Sequence, residues 1–130
     1  MLFSVLIYAS EDFSDALTPQ EMEDLLGHHR AFQQTVKSEG SFGAAVKLMS
    51  TGTAITLSQS GEETIITDGP FAETKEQFMG FYLLETESLD DAIEAVKLLP
   101  LDRHKVEIRP ISYFDGADFR NGNSLVIDAL

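Results

Sequence analysis

The chain contains no cysteine. This excludes a disulfide framework, a thiolate nucleophile and any cysteine-bound metal. Basic residues are scarce: 9 Lys and Arg stand against 22 Asp and Glu, for a formal charge of −13. A nucleic-acid backbone needs clustered Lys and Arg, so no nucleic-acid partner is expected. An anionic membrane surface is disfavoured for the same reason. A cation, a basic protein or a neutral metabolite stay open as partners, and the plainest role of the charge is solubility. No apolar run approaches the length of a membrane span, so no membrane association is expected. Residues 1–9 are apolar but carry no basic n-region. They read as a strand rather than a signal peptide, and the expected compartment is the cytoplasm. There is no phosphate-cradling loop, no dinucleotide fingerprint and no serine elbow. His28 and His29 are adjacent, so on a helix they point to different faces and make poor joint metal ligands. Neither a metal nor an obligatory cofactor is expected.

What remains is an ordinary globular composition, 43% hydrophobic and 24% charged over 130 residues. That length supports one domain with a single core. Residues 2–9 are apolar on both faces, with Phe3, Val5 and Ile7 on one side and Leu6 and Tyr8 on the other. A strand of this kind is covered on both faces. The chain offers two helices, enough for one face, and a second copy of the chain is the expected cover for the other. Thr18, Pro19 and Glu21 give an N-cap, a first-turn proline and a closed capping box. Met22, Leu25, Leu26, Phe32 and Val36 continue as a helical stripe, and Gly40 suits the position after the helix end. Residues 53–58 and 63–67 form a hairpin around Gly61. Residues 79–85 form a second strand apolar on both faces, with Gly80 marking a bulge or a close backbone approach. Ser88 caps a second helix whose stripe is Leu89, Ala92, Ile93, Val96 and Leu99, ended by Pro100. Residues 105–111 close the fold, with Glu107, Arg109 and Ile111 on one face. Beyond them, Asp115-Gly116, Asn121-Gly122 and Asn123 mark turns, and Leu125-Val126-Ile127 forms a short strand or docks on a partner.

Between the hairpin and the second apolar strand lies the densest stretch of chemistry, residues 67–77. Asp68-Gly69-Pro70 is a turn: Asp accepts backbone N–H groups, Gly permits positive φ and Pro fixes φ. Phe71 is expected to plug the core and anchor the loop. Glu73, Lys75 and Glu76 follow, and Glu73 and Glu76 share a face if the segment is helical. One reading makes the stretch a chain reversal in which Lys75 pairs with a carboxylate. The other places Asp68, Glu73 and Glu76 beside a cleft, one serving as acid or base while Lys75 holds an anionic substrate group.

The run Asp68-Gly69-Pro70-Phe71-Ala72-Glu73-Thr74-Lys75-Glu76 resembles the signature of the YCII-related family, in its DGPF-domain subgroup. Met79-Gly80-Phe81-Tyr82, Leu89-Asp90-Asp91-Ala92 and Val106-Glu107-Ile108-Arg109-Pro110 resemble the strand, helix and closing strand that follow it there. The resemblance implies an α+β fold of ferredoxin-like βαββαβ order with an elaborated hairpin, pairing into a dimeric α+β barrel. It covers residues 1–112 as the domain and leaves 113–130 as an extension. No settled activity comes with it. The wider family pairs a His in the first helix with an Asp near the end of the second. His28 or His29 matches the His, while Leu99 stands where the Asp is expected, so Asp68 is the alternative partner.

The candidate catalytic residues are therefore His29, Asp68 and Glu73. His28, Phe71, Lys75, Glu76, Tyr82 and Arg109 are candidates for substrate binding, although a buried strand Tyr, a core His and a surface Arg–Glu pair account for several of them equally well. An Arg109 tie to Glu73 or Glu76 is the favoured architectural role of that residue. A pocket between sheet and signature loop, used for small-molecule binding or cofactor-free acid–base catalysis, is the first expectation. A non-catalytic regulatory module is the second, since proteins of this subgroup are linked to extracytoplasmic-function sigma factors.

Overall fold

The computed structural model describes residues 1–72, 74–117 and 124–128. Its elements in chain order are β1 (Leu2–Ser10), α1 (Pro19–Ser38), β2 (Phe42–Lys47), β3 (Ile55–Ser60), β4 (Glu63–Asp68), β5 (Glu76–Glu85), α2 (Leu89–Val96), β6 (Lys105–Pro110), β7 (Tyr113–Ala117) and β8 (Ser124–Asp128). The class is α+β. Four strands form one sheet in the order β2-β5-β1-β6, with every neighbouring pair antiparallel. The hairpins β3–β4 and β7–β8 are separate two-stranded sheets.

The period-2 pattern of β1 decides how the main sheet is covered. Phe3, Val5, Ile7 and Ala9 are buried, while Leu6 and Tyr8 on the opposite face are half-buried. Tyr82 and Leu84 of β5 share the buried side, opposite Val5 and Phe3. Phe32 and Val36 of α1 and Ala95 and Val96 of α2 pack on that side, with Leu99 beyond the end of α2, and complete the core. The other face, opposite the helices, carries Leu6, Tyr8, Phe81 and Leu83, all half-buried, beside the Lys105, Glu107 and Arg109 of β6.

Local signals explain the element ends. Thr18 accepts the Glu21 N–H through its side chain, and the Glu21 carboxylate accepts the Thr18 N–H, which closes the capping box ahead of Pro19. Gly40, at φ +72°, follows the helix end in the left-handed region that glycine tolerates. Gly80 is fixed by crowding instead. A Cβ there would stand 2.3 Å from the Val46 carbonyl oxygen, so β2 can approach β5 only over a glycine. The β1–β5 register slips beside it, between Ile7 and Tyr8, which makes a bulge.

Some expectations need correction. Phe71 does not plug the core; it is 90% exposed. It follows the turn at Gly69, φ +95°, in a stretch outside any strand or helix. Residues 71–72 and 74–75 are not helical either: β5 begins at Glu76, which its ladder with β1 takes away from any helical turn. Asp115-Gly116 lies within β7, where pairing with Val126 and Leu125 outweighs the local turn preference. Asn121-Gly122 and Asn123 fall outside the described residues. Leu125-Val126-Ile127 is part of a strand, paired with β7.

Candidate functional site

The helix α1 sets His29 against the sheet. Phe32 lies three residues on and Gln33 four, so all three share one face. Phe32 is fully buried against Tyr82, with ring centroids 4.7 Å apart. Phe32 therefore anchors the helix where His29 and Gln33 both reach the Tyr82 hydroxyl. Gln33 Nε2 donates to Tyr82 Oη at 3.0 Å, and His29 Nδ1 lies 2.8 Å from the same oxygen.

On its other side, His29 Nε2 stands 3.2 Å from Nε2 of His104. His104 belongs to the turn between α2 and β6. Arg103 and His104 both donate backbone N–H groups to the Pro100 carbonyl, which holds that turn closed. The Arg103 side chain adds a 2.5 Å ion pair to Glu21 in the first turn of α1. The Thr18 backbone N–H foremost, with Arg103, holds the Glu21 carboxyl below its usual range. One residue thus closes the cap of α1 and ties the His104 turn to it.

The result is a hydrogen-bonded row of four side chains, Gln33, Tyr82, His29 and His104, drawn from two elements and a turn. Burial, followed by the neighbouring His104, His28 and Lys47, lowers His29 to a pKa of about 4. Burial lowers His104 as well, against a weaker opposing pull from Asp102. Burial raises the Tyr82 hydroxyl, partly offset by Gln33. Both imidazoles are therefore neutral at pH 7 and the phenol keeps its proton.

Comparison with known proteins gives the family. The YCII-related domain is matched over residues 1–115. The chain belongs to the YCII-related family. It is also 38% identical over 117 residues to an uncharacterized protein of Rhizobium meliloti (strain 1021), covering 88% of this chain and 94% of that one.

The YCII-related features seen in the sequence fall on two separate parts of the molecule. Leu99, where a family Asp was expected, is buried in the core and offers no polar group. The ring that contacts His29 comes instead from His104, five residues later. Asp68 ends β4, exposed and paired in register with Ile55, and it is not a hydrogen-bond partner of His29. Glu73 lies outside the described residues. His28 is exposed on the next face of α1. Lys75 is exposed and forms no ion pair among the described residues. The expected tie between the last strand and the signature stretch exists with a different cation: Lys105 meets Glu76 at 3.6 Å. Arg109 pairs with Glu107 on its own strand, because residues two apart share a strand face.

Of the expected site residues, His29 and Tyr82 are brought together. Gln33 and His104 were not singled out by the sequence. Gln33 carried a usable signal, its spacing of four from His29 on the inward face. His104 carried none beyond its identity, since only the β1–β6 pairing brings the residue before Lys105 level with the end of β1. One depression, lined by Tyr8, Glu76, Lys105, Val106 and Glu107, opens on the face of the sheet opposite the helices. No described cluster of His, Asp and Glu has the geometry of a metal site, and no helix among the described residues is long and apolar enough to cross a membrane.

Proposed function

We propose that this YCII-related chain is a DGPF-type protein that acts on a small molecule by acid–base chemistry without a cofactor, with His29 at the centre of the proton path. The observation that carries this reading is the row Tyr82–His29–His104. Two neutral imidazoles in hydrogen-bond contact, one also bonded to a buried phenol, are costly to bury unless they are used or fully satisfied. Isomerase, lyase and hydrolase reactions that move one proton fit such a centre.

The same reading includes a homodimer. With the β3–β4 and β7–β8 hairpins set aside, the element order is βαββαβ and the sheet order places the first and third strands at the centre, which supports a ferredoxin-like fold. The half-buried Leu6, Tyr8, Phe81 and Leu83 on the face opposite the helices support a second copy packed sheet to sheet. In that arrangement the partner closes the depression at Tyr8 and Lys105.

The test is proton exchange. The protein is incubated in deuterated buffer at pH 7 with a panel of carbonyl compounds that carry an exchangeable α-proton, and deuterium uptake is followed by NMR. Catalysed exchange is expected with at least one of them. It should fall in His29→Gln, which breaks the hydrogen-bonded row that sets the proton on His104. Exchange at equal rates in both proteins would sink the reading.

A further inference from the structure

The hydrogen-bonded row runs in one direction, set by the donor at its Gln33 end. Gln33 presents an amide N–H to Tyr82 Oη. The phenol has one proton of its own, and the remaining partner of its oxygen among the described residues is His29 Nδ1 at 2.8 Å. Tyr82 therefore donates to His29 Nδ1. A neutral imidazole has one donor and one acceptor nitrogen. His29 accordingly carries its proton on Nε2 and donates to His104 Nε2, 3.2 Å away. His104 in turn carries its proton on Nδ1.

That last N–H has no hydrogen-bond partner among the described residues, on a side chain that is only 6% exposed. A buried donor left unsatisfied costs about 1–3 kcal/mol. The ring of Phe13 stands edge-on to His104, centroids 5.3 Å apart and planes at 72°. Phe13 belongs to the run of turns between β1 and α1, residues 11–17, which has no strand or helix of its own.

We propose that the Nδ1–H of His104 binds the carbonyl oxygen of an uncharged small molecule, which enters by displacing Phe13. This rests on the acid–base reading above and names the end of the row that meets the substrate. Both nitrogens of His29 are engaged, so His29 is a positioning residue and His104 presents the working atom. An N–H donor calls for an oxygen acceptor. The acceptor is an uncharged carbonyl because the chain carries −13 and both cations beside His104, Arg103 and Lys105, are paired with carboxylates. A neutral imidazole polarises a carbonyl by hydrogen bonding without giving up its proton, and so acidifies the adjacent C–H.

The experiment is NMR of the histidine ring nitrogens in uniformly ¹⁵N-labelled protein at pH 7. His104 should be protonated on Nδ1 and His29 on Nε2. Titration with acetone or cyclohexanone should move the His104 Nδ1 signal saturably, while acetate at matched ionic strength should not. Phe13→Ala should bind either ketone more tightly. Gln33→Glu, at a half-buried position with folding checked by circular dichroism, gives Tyr82 an acceptor in place of a donor. The row then reverses, the His104 proton moves to Nε2, and ketone affinity falls at least tenfold. His104 protonated on Nε2 in the parent protein overturns the proposal. So does a His104 signal unmoved by either ketone in both the parent and Phe13→Ala, or one moved more by acetate than by the ketones. None of these readouts needs turnover. Ketone binding without α-proton exchange defeats the proposed activity and leaves this site standing, and exchange without ketone binding does the reverse.

Discussion

The main sheet and the β3–β4 hairpin handle apolar residues in opposite ways. On the helix side of the sheet, Phe3, Val5, Leu84, Phe32 and Val36 are sealed from solvent. On the hairpin, Ile55, Leu57 and Ile66 point outward, and Phe71 beyond it is almost fully exposed. Leu57 and Ile66 are opposite one another in the β3–β4 register, so they form one exposed patch rather than scattered residues. The lesson concerns where chemistry sits. The signature stretch, the most conspicuous run in the sequence, leaves the open hairpin at Asp68 and meets the main sheet only at Glu76. The buried polar row belongs to the sheet and its helices, where position is fixed by packing.

The contrast can be broken by substitution. Phe32→Ala removes a fully buried ring that also holds Tyr82, and should destabilise the fold by about 3–5 kcal/mol in urea unfolding. Gly80→Ala places a methyl against the Val46 backbone and should cost about 1–3 kcal/mol, with β2 amides losing hydrogen-exchange protection first. Thr18→Ala opens the capping box and should cost about 1 kcal/mol. Ile66→Ser should change monomer stability by less than about 0.5 kcal/mol, the range for surface sites. If Ile66→Ser costs as much as Phe32→Ala, the two regions are not different in kind.

The buried row adds a pH dependence to the sheet side. His29 has its folded pKa depressed to about 4, below the ordinary value of 6.5. Between these values the unfolded chain binds the extra proton and the folded chain does not. The stabilisation is complete above 6.5 and is lost as pH falls toward 4. His104 is shifted in the same direction and adds to the loss. Urea unfolding at a series of pH values should show this slope, and His29→Gln should flatten it. A flat profile in the parent protein would contradict the burial of the pair.

The frame was legible in the sequence because its signals are local. The capping box at Thr18 and Glu21, the alternation in β1 and the paired faces of β6 each require only neighbours within a few residues. The site was half legible. His29 stood out as a polar residue on an apolar stripe and Tyr82 as a hydroxyl in a core strand. His104 did not, because its contact spans 75 residues and arises from the order of strands in the sheet. Phe71 misled for a related reason: an apolar residue in a polar turn predicts burial, but not against what. The Lys105–Glu76 pair shows the same limit, since an interstrand tie was foreseen and the wrong cation was assigned to it.

His29 is held neutral inside the hydrogen-bonded row. Its ring titration, followed by NMR from pH 8 to pH 3, tests this directly. The midpoint should lie near 4. A midpoint near 6.5, the value of a solvated imidazole, would contradict it.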